Sequence, residues 1–405
     1  MTRLASKTVC LSILTLSQSL LVACGFSTAP GYAYAPPMAT RRYRNPTLLA
    51  SALSSDEVPS VHSVVPKLRD CVCLVTGASR GIGKGIALEL GKQGAIVYIT
   101  GTSTSDNSSS LNAATGPYSA TKESGGPGTI EQTAQEIMNA GGIGVAVLCN
   151  HAVDSEVKHL MDRIERDHGR LDILINNAFR LPQGGVEMLY KKFWEQGPEI
   201  WDTLHTVGLR SHFVASVYAM PLLQAAKKNP QRNLPRPFVG MVSSFGGLTY
   251  TFNVPYGVGK AGVDRLAKDM AVELTPEDIC VVSFWPGVVD TERTQESVKK
   301  GDWEKYVGLP LDNAETPGFT GKAIIATATD PSNMRKTGTY QVVAELSEEY
   351  NFFDVNGNRP PSIRSLRFLL PSYAFDQATR DMVPGWMIPD WKLPFWVMAQ
   401  GQPPA

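Results

Sequence analysis

The stretch Cys71-Val72-Cys73-Leu74-Val75-Thr76-Gly77-Ala78-Ser79-Arg80-Gly81-Ile82-Gly83 decides the fold of this chain. Its first six residues are a short apolar run, read as a buried strand. A glycine turn follows at once, and then an amphipathic helix with apolar positions Ile86, Ala87 and Leu90. A second strand is expected over 95–100. Strand, glycine turn, helix, strand is the order that a dinucleotide-binding unit requires. The glycines let the backbone turn tightly and approach a pyrophosphate, whose charge suits the free N–H groups at a helix N-terminus.

Outward from this unit the chain keeps alternating. Helices are expected near 129–140, 155–168, 199–226, 256–274 and 317–329, and strands near 144–148, 171–175, 238–243, 279–285 and 339–344. Alternation of this kind argues for α/β architecture: one doubly wound parallel sheet of Rossmann type, about seven strands, with helices on both faces. The domain is placed over 67–345, followed by an aromatic C-terminal extension over 346–405. Residues 102–128, rich in Ser, Gly and Thr, read as a surface loop inserted after the second strand.

Composition narrows the function classes. At 405 residues, with 43% apolar and 8% aromatic content, the chain is an ordinary globular protein. Lys plus Arg and Asp plus Glu each number 38, so nothing points to nucleic acid. The six Cys and six His show no paired metal-ligand spacing, and no metal is expected. Cys71 and Cys73 read as the core face of a strand.

The first 55 residues differ in kind: Arg3, Lys7, Arg41, Arg42 and Arg44 are unbalanced by any acid before Asp56. Within them, 9–23 is an apolar run of signal-peptide length, too short for a comfortable membrane span. The Arg-, Ser- and Ala-rich stretch after it resembles a transit peptide. A removable targeting presequence over 1–55 and a linker over 56–66 are expected, with delivery to an organelle by a secretory-type route, either a secondary plastid or the endoplasmic reticulum. A plain secretory signal and a lipoprotein signal at Cys24 are also compatible with the pattern.

Chemistry concentrates in Tyr256-Gly257-Val258-Gly259-Lys260, with Ser243-Ser244 just upstream. On a helix, positions i and i+4 share a face, so the Tyr256 phenol and the Lys260 ammonium can enter one pocket. A cation held near a phenol favours the phenolate and brings its pKa down from about 10. Ser244 can hold a carbonyl oxygen while Tyr256 protonates it. A second match, Tyr118…Lys122, lies in the loop insertion, where helical geometry fails.

Thr76-Gly77-x-x-x-Gly81-x-Gly83 resembles the short-chain dehydrogenase/reductase family, and so do Leu171–Ala178 with its Asn-Asn-Ala turn, Met241–Ser244, Tyr256 with Lys260, and Pro286-Gly287 with Thr291. Lys192–Glu195, Val207–Arg210 and Phe252–Lys260 narrow the resemblance to a branch that reduces steroid-like and xenobiotic ketones at the endoplasmic reticulum. The resemblance implies Ser244, Tyr256 and Lys260 as catalytic residues. It implies cofactor contacts at Gly77, Ser79, Arg80, Gly81, Ile82, Gly83, Asn150, Asn176, Asn177, Ala178, Tyr256, Lys260, Pro286, Gly287 and Thr291. Lys260 would bind the nicotinamide ribose and lower the Tyr256 pKa, and Thr291 would contact the nicotinamide amide. Asn150 stands where many members carry an Asp near the adenine. Gly208 replaces the Asn of the family's proton relay, leaving His205, Thr206 or solvent to carry the proton.

NADPH is expected over NADH. No acid stands at the end of the second strand, Thr100-Gly101-Thr102, to hold a ribose 2′-OH, and Arg80 can pair with a 2′-phosphate. Phe179, Trp194, Trp285, Trp303 and Tyr306 suit a bulky hydrophobic carbonyl substrate, or else they pack a lid on the core. Trp386, Trp391 and Trp396 can meet a lipid interface, the core or a second subunit of a homo-oligomer. The sequence therefore reads as an NADPH-dependent carbonyl reductase. A 3-oxoacyl carrier-protein reductase and a non-catalytic NADP-sensing protein are its rivals.

Overall fold

The computed structural model describes residues 67–105, 128–182, 186–229 and 234–400. The expected presequence and linker, most of the insertion and the Tyr118/Lys122 pair lie outside the described residues.

Seven strands form one sheet: β1 (Val72–Val75), β2 (Ile96–Gly101), β3 (Ile143–Leu148), β4 (Ile173–Asn176), β5 (Phe238–Val242), β6 (Cys280–Trp285) and β7 (Tyr340–Val342). All pairs are parallel, in the order β3-β2-β1-β4-β5-β6-β7. Register places Leu74 between Tyr98 of β2 and Leu174 of β4. Helices cover both faces, so the central strands bury both sets of side chains. In β1, Cys73 and Val75 join one apolar cluster, while Val72 and Leu74 join the other.

The longer helices are α1 (Gly81–Lys92), α2 (Ile130–Asn139), α3 (Asp154–His168), α4 (Glu199–His205), α5 (Ser211–Lys227), α6 (Val254–Leu274), α7 (Glu292–Lys299), α8 (Pro317–Thr329) and α9 (Val343–Glu349). The single helix expected over 199–226 is interrupted. A π-turn at Thr206–Arg210 separates α4 from α5, and buried Gly208 sits within it. A Cβ at Gly208 would stand 2.8 Å from Cδ2 of Phe179, so the widened turn and the missing side chain make room for that ring.

Strand order reverses between β1 and β4, which places a crevice outside their C-terminal ends. The C-terminal extension folds back onto the opposite edge. Phe395 packs edge-on against Tyr340 at 5.0 Å and Trp285 at 5.8 Å, and Trp285 itself stacks on Tyr340 at 4.1 Å. Arg364 pairs with Glu345 of α9 at 2.7 Å, and Arg367 Nε donates to the Ile388 carbonyl at 2.9 Å. Pinned this way, the extension still leaves Trp386, Trp391 and Trp396 exposed, at 79%, 72% and 61%. Among the described residues no helix is long and apolar enough to cross a membrane.

Candidate active site

The crevice is a cleft of about 330 Å³, walled by the chain leaving β1, β2, β3 and β4 and by Thr291–Arg293. Gly77 and Gly81 adopt φ of +67° and +57°, the left-handed region that glycine enters freely. A Cβ at Gly83 would lie 2.3 Å from Asn177 Nδ2, so the turn closes only with glycine there. Asn177 ties β4 to this turn: its Nδ2 donates to the carbonyls of Thr76 at 2.8 Å and Gly77 at 3.0 Å. The Thr76 hydroxyl in turn accepts from the backbone N–H groups of Asn177 and Ala178. A backbone cradle without side chains, opening at a helix N-terminus, fits the diphosphate of a dinucleotide.

Of the residues implied as cofactor contacts, Gly77, Ser79, Arg80, Gly81, Ile82, Gly83, Asn150, Asn177, Ala178 and Thr291 line this cleft. Asn176, Tyr256, Lys260, Pro286 and Gly287 do not line it. Asn176 is fully buried beneath it, donating to Ser216 Oγ at 3.1 Å, because alternation along β4 turns it away from the cleft. Pro286 is buried, and the Gly287 N–H donates to Glu315 Oε1 at 2.9 Å, which anchors the loop that carries Thr291. Thr291 caps α7 by accepting from the Thr294 N–H at 3.2 Å. Asn150 turns its side-chain oxygen back to the Ala152 N–H at 3.1 Å, which leaves its amide nitrogen for a ligand.

Arg80 is tied to the base of the insertion, donating to Ser103 Oγ at 2.8 Å and to the Gly128 carbonyl at 3.0 Å. Arg293 faces the same cleft. Burial lowers both guanidinium pKa values, and the Arg80 charge lowers Arg293 further, while Glu292 and Glu296 oppose the shift. Glu292 Oε2 accepts the Gly81 N–H at 2.9 Å, so a carboxylate of this chain sits at the N-terminus of α1.

The group expected to transfer a proton stands outside the residues that line the cleft. Asn253 caps α6, accepting the Tyr256 N–H at 2.9 Å, and Pro255 in the first turn suits the helix start. Ser244, just past the end of β5, accepts the Gly246 N–H at 3.1 Å, and its hydroxyl acts to lower the Tyr256 pKa. Ser243 points the other way and donates to the Lys260 carbonyl at 3.1 Å. Lys260 Nζ donates to the Val242 carbonyl at 3.2 Å and lies 5.9 Å from the Tyr256 ring centre.

The expected depression of the phenol pKa by Lys260 is not what the structure shows. Burial, reinforced by the charge of Asp264, pushes Tyr256 up to about 12, against the opposing Ser244 hydrogen bond. Burial also pushes Lys260 down to about 8, with Asp264 resisting. The lysine head is engaged by the β5 carbonyl and not by the phenol oxygen, so low polarity dominates both groups.

Above Tyr256 stands an aromatic cage. Phe252, held at a φ of +63°, meets Tyr256 edge-on at 4.8 Å, and Phe179 does so at 6.0 Å. Tyr190 meets Phe252 at 5.3 Å and stacks on Tyr306 at 5.6 Å. Of the aromatics expected around the substrate, Phe179 and Tyr306 are placed here. Trp285 is core, 1% exposed and hydrogen-bonded to Asp264, while Trp194 is 65% exposed. His205 is not poised as a relay: its Nε2 bonds the Pro255 carbonyl at 2.8 Å and its ring sits against Trp201. Asp264, Glu292 and Glu315 escaped the sequence reading. Asp264 alone carried a signal, one turn beyond Lys260 on the same helix face.

This glycine cradle at the sheet's switch point, with Ser244, Tyr256 and Lys260 beside it, defines a nucleotide-dependent oxidoreductase. The short chain dehydrogenase family matches over residues 120–302. Dehydrogenase/reductase SDR family member 1 of Mus musculus is 38% identical over 80% of this chain and 96% of its own length. The human protein of that name is 38% identical over 74% of this chain and 88% of its own. A 3-oxoacyl-[acyl-carrier-protein] reductase FabG of Thermotoga maritima is 25% identical over 66% of this chain and 94% of its own. Among solved structures, a short-chain type dehydrogenase/reductase from Mycobacterium marinum superposes with a TM-score of 0.53 at 23% identity, covering 69% of this chain and 95% of that one. The chain belongs to the short-chain dehydrogenase/reductase family and is an NAD(P)-dependent oxidoreductase.

Proposed function

We propose that this enzyme is an NADPH-dependent carbonyl reductase acting on bulky hydrophobic ketones, with Tyr256 as proton donor. The observation that carries this reading is the Tyr256 phenol set beside Ser244 and Lys260 and bordered edge-on by Phe252 and Phe179, with burial acting to keep it protonated. The reduced nicotinamide, when bound, supplies the hydride. A carbonyl oxygen gaining that negative charge becomes far more basic than a phenolate, so a neutral Tyr256 hydroxyl gives up its proton at that moment. Ser244, whose hydroxyl favours the ionised phenol, holds the same oxygen. Lys260, as an ammonium below about pH 8, offsets the charge left on Tyr256.

Phe179, Phe252, Tyr190 and Tyr306 offer flat apolar surface to a polycyclic or aromatic ketone and few hydrogen bonds to a sugar. Preference for NADPH is supported by the absence of a carboxylate in Gly101–Ser103 and by Arg80 and Arg293 in the cleft wall. The region after β6 mixes Arg293, Lys299, Lys300 and Lys305 with Glu292, Glu296 and Glu304, and so lacks the one-sign patch an acidic carrier protein would favour. The basic, acid-free leader supports delivery to an organelle by a secretory-type route.

The test is nucleotide consumption against a panel of steroid, quinone and aryl ketones, with a 3-oxoacyl thioester included and NADH as the alternative cofactor. Wild type should oxidise NADPH much faster than NADH on hydrophobic ketones. Tyr256→Phe should lose on the order of 10²–10⁴-fold in kcat while still binding NADPH. Turnover confined to the thioester would establish the carrier-protein reading. Binding without any turnover would establish a sensor.

A further inference from the structure

We propose that Phe179 is a positioning residue for the reaction, its ring being the surface on which the Lys260 ammonium and the Tyr256 phenol are held in place. The proposal rests on the reductase reading for its catalytic meaning, but its geometry stands independently. Phe179 follows the Asn-Asn-Ala turn after β4 and reaches from the wall of the nucleotide cleft to both residues. Lys260 Nζ lies 5.1 Å from the Phe179 ring centre, nearer than to the Tyr256 ring at 5.9 Å. The Phe179 and Tyr256 rings meet at 88°, so the edge of one addresses the face of the other.

Lys260 is 8% exposed and carries three donors, one of which is satisfied by the Val242 carbonyl. An ammonium so placed needs further negative potential, and an aromatic face supplies it. The charged and titratable groups around it are Tyr256 and Asp264 on α6 and His212 on α5. Burial and the Lys260 charge hold His212 down to about 3, so it is neutral. From β5 and the β4 loop come the Val242 carbonyl and the Phe179 ring. Gly208 completes the arrangement, because any Cβ there would meet Phe179 Cδ2 at 2.8 Å and push the ring off Lys260.

An aliphatic side chain of similar volume would fill this space but offer no π face, and that difference makes the test. Lys260 is titrated by NMR in the full chain with labelled lysine, its signal assigned by its loss in Lys260→Arg. Phe179→Leu should shift the Lys260 protonation equilibrium about ten-fold toward the neutral amine. Phe179→Tyr, which keeps the ring, should titrate as wild type. In turnover, Phe179→Leu should lower kcat and move the alkaline limb of its pH profile about one unit down. Gly208→Ala, which displaces the ring without removing it, should shift the titration in the same direction. A Lys260 titration unmoved in both variants would overturn the proposal and leave Phe179 as packing alone. Because the titration needs no substrate, its outcome is separate from any failure of the reductase reading.

Discussion

Removing the Glu292 carboxylate should tighten nucleotide binding. Glu292 Oε2 accepts the Gly81 N–H at 2.9 Å, at the positive end of α1 and in the wall of the cleft. A dinucleotide phosphate seeks the same N–H and the same helix end, so the carboxylate must leave before the phosphate arrives. A hydrogen bond to a charged group contributes about 1.5–3 kcal/mol. Water replaces part of it once Glu292 swings out, which leaves roughly 1.4 kcal/mol, or a ten-fold change in Kd. Glu292→Ala should therefore bind NADPH about ten-fold more tightly than wild type. Glu292→Gln, a neutral acceptor, should fall between them. Titration of protein fluorescence or calorimetry at low ionic strength reads the change, and added salt should shrink it. Weaker or unchanged binding in Glu292→Ala would refute the reasoning and make Glu292 a brace that holds the turn open.

Other outcomes follow from the same geometry. Burial raises Glu315 to about 8, with Asp354 adding to the rise and the Gly287 N–H opposing it, and its Oε2 is buried without a partner. The folded chain thus holds a proton that the unfolded chain has already lost above about pH 4.5, so stability falls as pH rises from there to about 8. Glu315→Gln should match wild type at pH 5 and exceed it by the order of a few kcal/mol at pH 8.5, as read by urea unfolding. Equal pH slopes in the two proteins would count against the buried acid. If the exposed indoles meet lipid, replacing Trp386, Trp391 and Trp396 together by Ala should abolish co-sedimentation with vesicles and leave turnover of a soluble ketone intact. Equal sedimentation of both proteins would remove the tail as an anchor.

Local pattern was enough for the sheet and its order of elements. Strand β1, the glycine turn and α1 are contiguous, and their signals are short-range: apolar runs of strand length, glycine where φ turns positive, and 3.6-residue periodicity. Tyr256 and Lys260 were equally legible, because helical spacing alone puts them on one face. The π-turn at Thr206–Arg210 was not, since Gly208 reads as an ordinary helix residue until Phe179 arrives from a loop nearly thirty positions earlier.

What only the tertiary structure decided concerns charge and polarity at the site. Sequence spacing put a cation beside a phenol and implied a lowered pKa. Folding sets both groups in low polarity and gives Lys260 a carbonyl from β5, so desolvation sets the direction for each and the phenol rises. Glu292 lies 211 positions from the amide it caps, and Glu315 lies 28 from the one it holds. Neither pairing leaves a periodic trace in the chain. The sequence by itself determined the scaffold and the pairing of Tyr256 with Lys260 on one helix face, because these depend on nearest neighbours along helix and strand. The ionisation states, the ring that carries Lys260 and the carboxylate seated at the α1 N-terminus depend on which distant residues folding brings together.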